Sequence, residues 1–217
     1  MNKTLSKYIL FGGVIVIIPL LLFTIKNAME ADNLPAILGE RTKDENGEWE
    51  YHTIAPFEVT NQDGESLTSA DYNEKLYIAN FFFTSCPVIC PRMTEQINDL
   101  YQDYAIYQNE LAFISFSIDP ARDSVSRLKN FADRFEIDYV NWDFVRTDKE
   151  TVYQIARNDF LLTALAGTEE ANDFIHSEYV TLIDAEQRIR GYYDLSEEED
   201  VAKIKSDLDK LLNYYFK

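Results

Sequence analysis

Two nearly unbroken apolar runs, Leu76 to Phe83 and Leu111 to Ile118, flank a stretch in which Met93, Ile97, Leu100 and Tyr104 recur at helical spacing. Continuous apolar runs predict parallel strands covered on both faces, and the three-to-four-residue repeat predicts an amphipathic helix between them. Pro91, of a type favoured at the first helical position, predicts where that helix starts. Leu128, Ala132 and Phe135 after the cap Ser124 predict a second helix, and Val152, Ile155 and Ala156 a third. Upstream, Tyr51 to Val59, the turn Asn61-Gln62-Asp63-Gly64 and Ser66 to Thr68 read as a hairpin. Downstream, Glu178 to Asp184 and Arg188 to Tyr193 read as a second one. A closing helix follows from the capping box Ser196 and Glu199, with Val201, Ile204, Leu208, Leu211 and Tyr215 facing inward. The class is α/β.

The N-terminus follows a different pattern. Tyr8 to Ile25 carries no charge, close to the roughly 17 to 25 apolar residues that cross a bilayer. Lys3 and Lys7 precede it, while Glu30 and Asp32 follow Lys26, so the bias of positive charge places the rest of the chain outside the cytoplasm. No clean small-residue cleavage pattern follows the run, which favours a single uncleaved transmembrane helix over a signal peptide. The expected organisation is a cytoplasmic N-terminus and anchor over residues 1–26, a linker over 27–50 and one domain over 51–217. The linker reading rests on Asn33, Pro35, Asp44 and Gly47 and on weak periodicity. Lys3, Lys7 and Lys26 are the only charges in the first 26 residues, so the formal charge of −18 falls to −21 over the remainder. That acidity argues against nucleic acid and anionic lipid surfaces as partners, and is read first as a solubility feature.

The chain of 217 residues has two cysteines, both in the run FFFTSCPVICP, where Cys86 and Cys90 stand four positions apart. With no further thiol they form no disulfide framework, and three readings stay open: a core pair, a redox dithiol or two soft metal ligands. The strand, thiol loop, helix and strand, followed by a hairpin and a terminal helix, is a thioredoxin-like order, here with an N-terminal hairpin extension. It places the dithiol at the carboxyl end of a central strand and the start of a helix. Pro91 at the first helical position would put Cys90 near the N-cap, where the helix dipole favours a thiolate. Of the two histidines, His52 reads as a surface or packing residue. His176 lies just ahead of a predicted strand, in the segment that in this fold faces the dithiol loop. Two thiolates and an imidazole suit Cu(I) and tolerate Cu(II); structural zinc would want a fourth ligand.

These residues resemble the Sco/SenC family. The resemblance is carried by FFFTSCPVICP, by ISFSIDPARDS from Ile114 to Ser124, and by IHSEYVTLID with RGYYD. It implies a thioredoxin-like copper chaperone for cytochrome c oxidase assembly, with Cys86, Cys90 and His176 as copper ligands and the binuclear CuA centre of oxidase subunit II as the destination. A copper donor or thiol reductant would be the other partner, since keeping the CuA cysteines reduced is a related family role. Asp119, in the DP-x-RD element, would neighbour the site, or serve the turn in which it stands. Family members often carry an aspartate directly before the histidine, where this chain has Ile175.

The competing reading is an extracytoplasmic thiol-disulfide oxidoreductase using the same two thiols. Against it stand the three residues between the cysteines, where thioredoxins have two, and the lack of any proline after Pro120 to serve as the cis-proline of such enzymes. A peroxidase-like thiol enzyme would need an activating cation, with Arg92 and Arg122 the nearest candidates. Met93 belongs to the apolar stripe with Ile97 and Leu100 and reads as core.

Overall fold

The computed structural model describes residues 18, 33–137, 140–162 and 179–217. A compact unit runs from Pro35 to Phe216. Two small hairpins come first, β1 (Arg41–Lys43) with β2 (Trp49–Tyr51) and β3 (Glu58–Thr60) with β4 (Ser66–Thr68). Then follow β5 (Leu76–Phe82), α1 (Ile89–Asp103), β6 (Leu111–Ser117), α2 (Val125–Ala132), β7 (Trp142–Val145) and α3 (Lys149–Gln154). The chain closes with β8 (Tyr179–Ile183), β9 (Ile189–Asp194) and α4 (Glu198–Phe216).

Five strands form one sheet in the order β7-β6-β5-β8-β9. β5, β6 and β7 run parallel, whereas β8 is antiparallel to β5 and to β9. Every residue of β5 and β6 is buried, as the unbroken apolar runs require of strands packed on both faces. Alternation sends neighbouring rings to opposite faces. Phe81 stacks on Phe116 and meets Phe160, while Phe82 packs against Phe131 of α2 and Phe144 of β7. A polar thread crosses this core, with the Trp142 indole donating to Ser115 Oγ at 2.9 Å and Ser115 donating to Asn80 Oδ1 at 2.6 Å.

The thioredoxin-like order is present, and four local expectations change. The supposed linker is partly folded: Arg190 Nη1 donates to the Pro35 carbonyl at 2.6 Å, Leu38 N–H to the Ile189 carbonyl at 2.8 Å, and β1–β2 occupies residues 41–51. Its turn is built by Asp44, whose Oδ1 accepts the N–H groups of Asn46 and Glu48, an Asx-type turn that needs no apolar periodicity. β7 was not anticipated, although Trp142 and Phe144 alternate with Asp143. α1 begins at Ile89, two residues before Pro91. At α4, Asp194 and Asp200 replace the expected capping box: Asp200 Oδ2 accepts Asp194 N–H and Asp194 Oδ1 accepts Ser196 N–H, both at 2.8 Å.

The predicted hairpin forms with its first strand confined to Glu58–Thr60 rather than Tyr51 to Val59, Tyr51 belonging to β2 instead; it turns around Asn61, whose Oδ1 accepts the N–H groups of Asp63 and Glu65, with Gly64 at φ +83° completing the turn. Among the described residues no helix is long and apolar enough to cross a membrane. The apolar run Tyr8 to Ile25 lies outside them except for Ile18.

Candidate metal centre

The thiol loop leaves the C-terminal end of the central strand. After β5, Cys86 N–H turns back to the Phe83 carbonyl at 3.2 Å, and α1 starts three residues later. The first turn of a helix has N–H groups without intrahelical partners, normally satisfied by a side-chain oxygen at the N-cap. The N-cap here is Val88, which offers none. Cys86 takes over: its Sγ accepts Cys90 N–H at 3.3 Å, and the N–H groups of Val88 and Ile89 also act on it. Pro91, in the same turn, has no N–H to satisfy.

Both cysteines are free, with exposures of 7% and 4%. Their acidities diverge. Burial works against a thiolate at Cys86, but the N–H groups of Cys90, Val88 and Ile89 and the Cys90 thiol outweigh it and hold this thiol below its ordinary value. Cys90 is pushed up to about 12, chiefly by burial, with the Cys86 sulfur and the Asp123 carboxylate adding to the effect. The structure therefore reverses the expectation that Cys90 is the helix-stabilised thiolate. Cys86 receives the helix N-terminus, because the helix starts early enough to carry Cys90 inside its first turn.

Asp123 ties this loop to its neighbour. Fully buried, it accepts from Thr84 Oγ1 at 2.5 Å and Thr84 N–H at 3.1 Å, and from Ser117 Oγ at 2.6 Å. One carboxylate thus joins the loop after β5 to the end of β6. Asp119 performs the turn role: its carbonyl accepts Arg122 N–H at 3.0 Å and Asp123 N–H at 2.9 Å, and its carboxylate pairs with Arg122 at 3.5 Å. Asp119 is the acid that the DP-x-RD motif suggests for this place, and Asp123, four residues on in the same motif, is the one that braces the loop. Burial is the property that separates them, and no periodicity distinguishes a buried acid from an exposed one in a loop.

Met93 is core, and Arg92 is exposed at the helix start. His52 packs, its Nε2 donating to the Asp159 carbonyl at 2.7 Å. His176 and Ile175 lie outside the described residues. The register Ala79↔Thr181 carries Tyr179, the first residue of β8, to the level of Phe81, at the sheet end where the thiol loop leaves. Among the described residues no three His, Cys, Asp or Glu side chains form a metal-binding group. A cavity of about 630 Å³ lined by Phe57, Thr60, Arg146, Gln154 and Asp159, among others, includes neither cysteine.

Comparison with known proteins agrees with this fold. The SCO1/SenC family model matches residues 46–213. The SCO1 protein homolog of Bacillus subtilis (strain 168) is 29% identical over 159 residues, covering 72% of this chain and 81% of its own length. A SCO1/SenC family lipoprotein from Bacillus anthracis str. Ames superposes with a TM-score of 0.64 at 27% identity, over 74% of this chain and 95% of its own. BsSco, described as a member of the Sco family of cytochrome c oxidase assembly proteins with a disulfide switch, superposes at 0.61 with 27% identity, over 73% and 93%. Bradyrhizobium japonicum ScoI with copper bound shares the fold at 0.54 and 23% identity, over 71% and 98%. A family match that takes in the thiol loop, the loop of Asp119 and Asp123 and the β8–β9 hairpin leaves one conclusion: the chain belongs to the SCO1/SenC family.

Proposed function

We propose that this protein binds copper as cargo through Cys86, Cys90 and His176, outside the cytoplasmic membrane to which residues 8–25 anchor it, and delivers it to the CuA centre of cytochrome c oxidase subunit II. The observation that carries this reading is the pair of free thiols at the C-terminal end of the central strand, one of them held by helix N–H groups. Two soft sulfur donors fit Cu(I). His176 stands three residues before β8, which starts at the same end of the sheet, and a nitrogen donor there would make Cu(II) tolerable. Family membership and the copper-bound ScoI support the metal; the description of BsSco supports oxidase assembly. An open set of three ligands suits delivery, because an acceptor can replace them one at a time.

The divergent thiols favour a second reading, thiol-disulfide exchange. Cys86 as thiolate would attack one sulfur of a partner disulfide, releasing the other as a thiolate. Cys90, losing its proton, would then attack Cys86 in the mixed disulfide. The chain ends as a disulfide and the partner as a dithiol, two electrons having passed to the partner.

The test is copper titration of the reduced chain recovered from membranes after alkaline carbonate washing, beside Cys86→Ser and His176→Ala. Retention in the washed membranes is expected of an anchored protein, and loss into the wash would remove the anchor. One copper per chain is expected, with His176→Ala losing Cu(II) far more than Cu(I). Equal retention of both ions would exclude His176 as a ligand. Absence of specific copper together with ready Cys86–Cys90 disulfide formation would decide for thiol exchange.

A further inference from the structure

The eight residues from Thr84 to Pro91 carry no charge, in a chain of which 27% is charged. Within them the two cysteines are buried while Pro87, Val88 and Ile89 are exposed, Val88 at 67% and Ile89 at 40%. Val88 breaks two local rules at once. It stands at the N-cap of a 15-residue helix, where Ser, Thr, Asp or Asn would supply a hydrogen bond, and it makes no side-chain cap. It also holds a β-branched apolar side chain in water. Ile89, at the first helical position, likewise holds a β-branched apolar side chain at the surface. Violations of local preference with no gain to the fold mark surface used for something else.

The site itself indicates what covers them. This step rests on the copper-delivery reading above. An acceptor must bring its own ligands within bonding distance of a metal held on Cys86 and Cys90, and the loop bearing Pro87, Val88 and Ile89 links those two residues. Among the described residues this loop is exposed surface adjoining both thiols, and an accepting protein that approaches them there meets it. We infer that Pro87, Val88 and Ile89 form an apolar docking face for the metal-accepting protein, which presents an uncharged, apolar rim around its own metal-binding thiols. Three small side chains make a minor contact, as suits a partner that must leave after transfer.

The test uses the copper-loaded full chain in lipid nanodiscs, mixed with the apo CuA domain of subunit II and followed by the optical band of the filling centre. Val88→Lys and Val88→Glu place opposite charges on the face through side chains long enough to clear the helix end. Ile106→Glu alters an apolar residue that is 83% exposed beyond the other end of α1. Both Val88 variants are expected to slow delivery by about tenfold, the scale of losing one well-placed interface side chain, while Ile106→Glu leaves it unchanged. Unchanged delivery in both Val88 variants would overturn the docking face. Opposite effects of Lys and Glu would overturn its apolar character and make the contact electrostatic. If the wild-type chain delivers no copper to CuA, the delivery reading falls and the inference with it, an outcome visible before any variant is compared.

Discussion

At the scale of single residues, the sulfur of Cys86 does a helix cap's work. A sulfur accepting an N–H at 3.3 Å is a weaker cap than an oxygen, but it places a soft, polarisable atom in the positive field of a helix N-terminus. Asp123 supports that placement from below. Asp123→Ala would strand the half-buried Thr84 and the buried Ser117 donors and is expected to lower stability by about 2 to 4 kcal/mol, read as a fall in the urea midpoint. Asp123→Asn separates support from charge. Because the carboxylate helps raise the Cys90 thiol, its neutral replacement should let Cys90 alkylate at lower pH, with the Cys86 profile shifting less. Mass spectrometry of iodoacetamide labelling across pH checks this. An unchanged Cys90 profile would leave Asp123 with a purely structural part.

At the scale of elements, burial and capping decide where structure forms. β5 and β6 are legible as uninterrupted apolar runs because both faces are covered. The Ser124 cap of α2 is legible because a short polar side chain before an amphipathic stretch has one common use. Its Oγ accepts Arg127 N–H at 3.3 Å, so Ser124→Ala is expected to cost about 1 kcal/mol, seen in urea unfolding as a lower midpoint with the same slope. No loss would mean that the neighbouring Ser126 hydroxyl, 3.0 Å from Ser124 Oγ, substitutes for it. β1–β2 was hidden for the opposite reason: its residues are nearly all exposed, so hydrophobic alternation is absent and only the Asp44 turn and strand pairing hold it. α1 began earlier than Pro91 suggested because proline is tolerated throughout the first turn, where no N–H is required.

At the scale of the whole molecule, the buried tyrosines set a limit on the alkaline side. Burial is the largest cause at Tyr72, Tyr77, Tyr104 and Tyr193, each raised above the ordinary 10.0, and nearby carboxylates such as Asp143 beside Tyr72 and Asp207 beside Tyr193 add to it. Tyr192 and Tyr215 are raised to about 12. A group whose folded value lies above its unfolded one contributes stability that is complete below the unfolded value and lost as pH rises through the folded one. Stability is therefore expected to hold up to pH 10.0 and to fall as pH rises toward about 12 and above. The tyrosinate absorbance that belongs to the buried tyrosines should appear together with the loss of far-UV circular dichroism in one cooperative step, whereas exposed rings such as Tyr214 ionise without it. Ionisation of the full set of tyrosines with unchanged dichroism would contradict this.

The amino-acid sequence by itself determined the central strands, the helix after the thiol loop, the pairing of Cys86 with Cys90 as the chemically distinctive feature, and the motifs that place the chain in its family. These are local or burial-driven properties: apolar period, turn chemistry and residue type are written along the chain. Tertiary structure alone decided that Cys86 and not Cys90 meets the helix N-terminus, that Asp123 rather than Asp119 braces the thiol loop, and that Pro35 and Leu38 are tied to β9. Each of those outcomes depends on hydrogen bonds whose geometry is set by where a helix begins or how two distant segments pack. Thr84 and Asp123 are 39 positions apart, and what joins them is the parallel register of β5 and β6, which brings the two loops to one end of the sheet.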